Sequence, residues 1–220
     1  MLNVKSFIFN PVCVNTYVVY SDTEGVIIDC GCLDSSEWSE LDDFVQSKSL
    51  HITHLLNTHL HLDHVFGNQY ATSAYNLMVE ANSEDFPMYK DLKQQVSLFF
   101  GEQIASTLDY SYTSLLGPSL YEGAKIPVGD DELEVICTPG HTPGGICFYS
   151  RKSGLLFSGD TLFQGSIGRT DLDGGNYVAL IKSIQNKLMV LPPETKVYCG
   201  HGSPTTIEYE QNFNPFILYS

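Results

Sequence analysis

Three imidazoles and a carboxylate crowded into six positions, His59-Leu60-His61-Leu62-Asp63-His64, constrain this chain more than any other feature. Side chains of this kind, packed so closely, are electrostatically awkward unless a cation draws their lone pairs together. The cluster follows an apolar run, Ile52 to Asn57, that reads as a strand. On an extended strand end, residues two apart share a face, so His59 and His61 are expected to grip one cation together. Asp63 and His64 follow where the chain turns into the next element and can point at a second cation. Such donors suit Zn²⁺, with Fe or Mn as alternatives, better than Ca²⁺ or Mg²⁺.

Three further candidate ligands repeat one arrangement: an apolar strand, a tight turn, then a single polar residue. His141 stands in Thr138-Pro139-Gly140-His141 after Leu133 to Cys137, and Asp160 in Ser158-Gly159-Asp160-Thr161 after Leu155 to Phe157. His201 stands in Cys199-Gly200-His201-Gly202 after Val197-Tyr198. Loops held on rigid strands are where a functional site is expected. Together the donors are His59, His61, Asp63, His64, His141, Asp160 and His201, enough for two divalent transition-metal ions sharing one carboxylate. His51 and His54 lie before or inside the strand and are expected to be structural.

Strand-like runs open the chain at Val4 to Phe9, Val12 to Tyr20 and Gly25 to Asp29. A helix follows, with capping-box spacing at Asp34 and Glu37 and apolar residues at Trp38, Leu41, Phe44 and Val45. Met88, Leu92, Val96 and Phe99 suggest a second helix. Strands return from Leu133 to Ser158, and Tyr177 to Leu188 forms an amphipathic helix stopped by Pro192-Pro193. Two blocks of strands and helices with no linker between them predict one α/β domain over residues 1–220 with layered sheets.

The charge balance narrows the partners. Eleven Lys and Arg against 26 Asp and Glu leave a net charge of −15, which repels nucleic-acid backbones and anionic membrane surfaces. The first ten residues do not read as a signal peptide, and no window approaches the ~18 apolar residues of a membrane span. Six scattered cysteines, Cys30 and Cys32 among them, are then expected to be reduced thiols of a cytoplasmic protein.

The seven donors resemble the hallmark of the metallo-β-lactamase superfamily, a His-x-His-x-Asp-His segment followed by distant His, Asp and His. The resemblance covers essentially the whole chain and implies a four-layer αββα sandwich. It also implies that His59, His61 and His141 hold one metal, that Asp63, His64 and His201 hold the other, and that Asp160 bridges. Asp29 matches a position that usually supports the site from behind. Gly159-Asp160-Thr161-Leu162-Phe163 and Gly168-Arg169 are similar to segments of glyoxalase II, the hydroxyacylglutathione hydrolase. The chain ends soon after His201, so it looks like the shorter bacterial glyoxalase II-like proteins, without the C-terminal helical domain.

The implied activity is hydrolysis of a small-molecule acyl-thioester or ester, such as S-lactoylglutathione, by hydroxide generated at the metals. Asp63 is a candidate catalytic proton carrier beside its ligand role, and Arg169 a candidate substrate contact. A single-iron, persulfide dioxygenase-like oxidoreductase and a lactone or ester hydrolase are the alternatives on this fold. The segment from Asn82 to Glu122, rich in aromatics, is expected to border the substrate entrance, with Tyr110 and Tyr112 among its specificity determinants.

Overall fold

The computed structural model describes residues 1–106 and 110–218. Its first sheet contains β1 (Asn3–Phe9), β2 (Val14–Ser21), β3 (Glu24–Ile28), β4 (His51–Leu56) and β5 (Val79–Glu80), in that order. The second is assembled from β6 (Lys125–Val128), β7 (Asp131–Cys137), β8 (Ile146–Ser150) and β9 (Leu155–Gly159). A short hairpin, β10 (Leu162–Phe163) with β11 (Ser166–Ile167), precedes β12 (Lys196–Cys199) and β13 (Thr205–Thr206). The order across the second sheet is β13-β12-β9-β8-β7-β6.

The helices are α1 (Ser35–Ser47), α2 (Leu62–Val65), α3 (Asn68–Tyr75), α4 (Phe86–Lys90), α5 (Leu92–Phe100) and α6 (Glu102–Ala105) in the first half. The second half adds α7 (Tyr177–Ser183), continued by a π-helical turn over Ile184–Leu188, then α8 (Ile207–Phe213) and α9 (Pro215–Leu218). Among the described residues, no helix is long and apolar enough to cross a membrane.

Side-chain alternation explains the layering. Along β3, Val26 and Ile28 point into a cluster between the sheets, where Ile146 and Phe148 of β8 meet them. Ile27 points the other way, into a cluster shared with Leu41 and Val45 of α1, Ala71 of α3 and Leu92 and Val96 of α5. Cys147 and Tyr149 of β8 likewise face Leu180 of α7 and Ile207 of α8. Each of these large apolar side chains contributes about 1.5–3 kcal/mol by leaving water. The result is helix, sheet, sheet, helix, as the resemblance implies.

Two local expectations are modified. Asp34 caps α1 by accepting from the Ser36 and Glu37 amides, but Glu37 does not return to the Asp34 amide. Its carboxylate accepts instead from Asn10 N at 2.9 Å and Leu33 N at 2.7 Å, fastening α1 to the β1–β2 turn. The expected helix through Met88 and Phe99 is broken at Asp91 into α4 and α5.

Strand direction gathers the candidate ligands. β12 runs parallel to β9, and β7 and β9 are each antiparallel to β8, so the loops leaving β7, β9 and β12 emerge at one edge. The first sheet closes against that edge. Asn15 N donates to Gly200 O at 2.7 Å, and the Tyr17 hydroxyl to Cys199 O at 2.6 Å.

Candidate metal centre

His59, Leu60 and His61 lie on a loop, because β4 ends at Leu56. The strand-end geometry expected for the two histidines is therefore replaced by a turn that leads into α2, with His61 as its N-cap residue. The rings still converge: the His59 and His61 centroids lie 4.9 Å apart, and His61 Nδ1 sits 2.9 Å from His141 Nε2. Three donor groups form in which all potential ligand atoms lie within 4.8 Å of one another. They are His59, His61 and His141; His59, His64 and Asp160; and Asp63, His64 and His201.

Asp160 stands between the outer two groups. Its Oδ1 is 3.4 Å from His64 Nε2, and its Oδ2 is 3.6 Å from His141 Nε2 and 3.7 Å from His201 Nε2. Two glycines permit this position. A Cβ on Gly200 would meet Asp160 Oδ1 at 2.2 Å, and one on Gly168 would meet the Asp160 carbonyl oxygen at 1.8 Å. Gly200 and Gly168 are thus required by close approach to one residue, the first to its carboxylate and the second to its main chain.

The ring faces are set from behind. His141 Nδ1 lies 2.7 Å from Arg169 O and His201 Nδ1 lies 3.1 Å from Val12 O, carbonyls that can only accept. Both rings then keep a proton on Nδ1 and turn Nε2 inward, where its lone pair becomes available once any proton there is displaced. His64 Nδ1 is 3.0 Å from Asp29 Oδ2, an ion-pair contact rather than an aligned hydrogen bond. Asp29 in turn accepts from Thr58 N and Thr58 Oγ1, both at 2.7 Å, and holds a left-handed backbone with φ +54°.

Sequence reasoning missed Asp85. This buried carboxylate accepts from Gly144 N at 2.7 Å, Thr142 Oγ1 at 2.8 Å and Leu60 N at 3.3 Å. It therefore ties the His59–His61 loop to the loop that carries His141. Burial pushes its carboxyl above the usual carboxylate range, and the three donors pull against that.

The donor set is unsatisfied by the protein alone. His59 Nε2, His64 Nε2 and Asp160 Oδ1 are buried without an aligned hydrogen-bond partner. Such orphaned acceptors would be costly unless cations take their lone pairs. Protonation is also uneven. Burial and the neighbouring imidazoles lower His59 well below the ordinary histidine value and His61 to about 4. Burial would lower His64 and His201 as well, but Asp63 and Asp160 outweigh it and raise both. Asp63 and Asp160 themselves are held low against burial, by His64 first and His201 after it. The residues thus fit divalent cations, with His59 and His61 biased towards the neutral imidazole and His64 and His201 biased towards the protonated form by the carboxylates beside them.

A cavity of about 470 Å³ opens above this floor, lined by His61, Asp63, His141, Asp160 and His201 and walled by Phe99, Phe100, Phe163, Ile167 and Leu172. The aromatic segment does reach the entrance, but through Phe99 and Phe100 of α5. Tyr112 is buried against Tyr89, and Tyr110 packs on the same cluster, so neither lines the cavity. Arg169 does line it, with its guanidinium held by both carboxylate oxygens of Asp171 at 2.8 Å. Cys30 and Cys32 are free, buried thiols with Sγ atoms 4.0 Å apart, outside the donor groups. His51 is exposed and His54 pairs with Glu80, also outside them.

Comparison with known proteins agrees with this geometry. The family model for the metallo-beta-lactamase superfamily matches residues 10–201. The chain is 33% identical over 205 residues to the hydroxyacylglutathione hydrolase GloC of Haemophilus influenzae, covering 92% of each. It is similar to the crystal structure of the BLEG-1 B3 metallo-beta-lactamase, with a TM-score of 0.85 and 33% identity over 99% of both chains. It is also similar to the di-iron-bound form of TTHA1623, with a TM-score of 0.82 and 34% identity, covering 97% of this chain and 100% of that one.

Proposed function

The chain belongs to the metallo-beta-lactamase superfamily, and from that premise we propose that it is a dinuclear, metal-dependent hydrolase of acyl-thioesters. The observation that carries this reading is the pair of three-donor groups, His59/His61/His141 and Asp63/His64/His201, with Asp160 between them. Each group would hold one divalent ion, Zn²⁺ or alternatively Fe or Mn, and Asp160 would serve both. When bound, the ions supply Lewis acidity, making hydroxide available near neutral pH and polarising an acyl carbonyl.

The chain's own residues do the rest. Arg169 O, Val12 O and Asp29 hold the imidazoles in place, so the site needs little rearrangement to accept a cation. The wall of Phe99, Phe100, Phe163, Ile167 and Leu172 receives the acyl group and keeps bulk water out. Asp63, held ionised, is placed at the floor to take up a proton. A thiolate needs no general acid to leave, because its pKa is near 8.5. Residues 1–220 act as one domain in this reading, since one cluster fills the space between the sheets. Free thiols among the described residues fit a reducing, cytoplasmic setting.

The single-iron oxidoreductase alternative would leave Asp63, His64 and His201 converging without a cation. A metal-loaded panel of S-lactoylglutathione, other acyl-thioesters, oxygen esters and lactones tests the proposal. Thioester turnover with about two ions per chain is expected. Brisk lactone cleavage with inert thioesters would assign the site to the ester-cleaving class instead. Oxygen consumption with one iron per chain would assign it to the oxidoreductases.

A further inference from the structure

The cavity above the donor cluster continues into a second recess of about 660 Å³, and His61, Phe99 and Leu172 line both. The recess lies between α4 and α5 on one side and the loop from Asp171 to Gly174 on the other. A substrate whose reacting carbonyl sits over the floor must run its remaining portion along this recess or out to solvent. The floor from which it leads is a site in its own right, because His59 Nε2, His64 Nε2 and Asp160 Oδ1 are buried there without an aligned hydrogen bond.

Apart from the donors themselves, the two spaces are lined by the carboxylates of Glu84, Asp91, Asp171 and Asp173 and by a single cation, Arg169. That cation is neutralised by the bidentate pair with Asp171. No ion pair engages Glu84, Asp91 or Asp173 among the described residues, and Lys90 and Lys93, which flank Asp91 in sequence, do not line either space. A concave wall of one sign concentrates counter-ions and repels co-ions, most strongly at low salt.

Resting on the thioesterase reading, the geometry points to a substrate class: acyl compounds whose leaving portion is neutral or positively charged, selected by Glu84, Asp91 and Asp173. A carrier with several carboxylates, such as glutathione, is disfavoured by the same wall. Arg169 does not offset this, because its charge is spent on Asp171.

The test uses the metal-loaded protein and three acetyl thioesters: acetylthiocholine, the acetyl thioester of N-acetylcysteamine, and S-acetyl-3-mercaptopropionate. Their oxygen counterparts are acetylcholine, 2-acetamidoethyl acetate and 3-acetoxypropionate. Relative to the neutral member, kcat/KM for the cation should exceed that for the anion about tenfold at low ionic strength, and the ratio should shrink towards one in 1 M salt. In the double variant Asp91→Lys/Asp173→Lys, with metal content verified, the order should invert. A ratio unaffected by charge, salt or the double variant overturns the inference. If only the oxygen esters turn over and keep the cation preference, the thioesterase reading fails and the charged wall stands. If neither series turns over, paramagnetic relaxation by cationic and anionic nitroxides decides. Stronger broadening by the cation at the Leu98 and Gly174 amides supports the wall, and equal broadening refutes it.

Discussion

The Thr142 hydroxyl donates to Asp85 Oδ2 at 2.8 Å across 57 residues of sequence. With Gly144 N and Leu60 N on the same carboxylate, this contact fixes the distance between two ligand loops. Removing the acceptor leaves three donors without a partner. Asp85→Ala should therefore destabilise the protein by about 3 kcal/mol, and Asp85→Asn by roughly half of that. Metal affinity at His59, His61 and His141 should fall about tenfold in both variants. Denaturant melts and competitive metal titration measure the two effects, and wild-type stability in Asp85→Ala would exclude this role.

Metal stoichiometry separates the bridging carboxylate from a ligand of one group. The wild-type chain should bind about two ions. Asp160→Ala should weaken both, since Asp160 lies within 3.7 Å of donors from each side. His201→Ala should empty chiefly the Asp63/His64 side. Elemental analysis after dialysis gives the counts, and loss of a single ion in Asp160→Ala would remove it from the bridging position.

The two sides should also differ in their response to acid. His59 and His61 are lowered, so they are neutral at pH 7 and bind an ion without losing protons. His64 and His201 are raised, so in the metal-free protein they hold a second proton to higher pH than His59 and His61 do, and an incoming ion must displace it. Loading at pH 7 should release protons chiefly from the Asp63/His64/His201 side, and that ion should leave first as pH falls. Calorimetry in buffers of different ionisation enthalpy counts the protons. Equal release at the two sites would contradict the assignment.

Phe99 and Tyr112 should respond oppositely to truncation. Phe99 is 58% exposed and lines both the cavity and the recess, so Phe99→Ala should change the ranking of acyl substrates with little effect on stability. Tyr112 is 8% exposed and packs edge-on to Tyr89, so Tyr112→Ala should cost about 3–5 kcal/mol. Substrate panels and thermal melts on both variants decide, and a shifted ranking in a fully stable Tyr112→Ala would reverse the roles.

The donors were legible in the sequence because four of them crowd into six positions and the other three each follow an apolar strand and sit beside glycines, patterns set by local chemistry. The layering was legible because strand-like and helix-like runs alternate in two blocks, and its four-layer form because the donor motif resembles that of a family with this sandwich. Asp85 was not, because its partners are two main-chain amides and a hydroxyl brought together by tertiary folding. In the sequence it stands in Ser83-Glu84-Asp85-Phe86-Pro87, which looks like an ordinary helix start. The carbonyls of Arg169 and Val12 were equally silent, since a main-chain oxygen carries no residue-type signal. Tyr110 and Tyr112 misled because aromatic content does not say which way a ring faces.

The donors are also spread in time. A chain under synthesis completes His59, His61, Asp63 and His64 while the remaining 137 residues up to His201 are still to be added. At ribosomal speeds that interval is about 7 to 30 s. Throughout it the N-terminal quartet is a chelating fragment without His141, Asp160 or His201 to complete its coordination. An ion captured then would meet its other ligands only when Asn15 docks on Gly200 and the two sheets close. Which metal the finished protein holds can thus be decided by what is available to the nascent chain, before the folded site can discriminate.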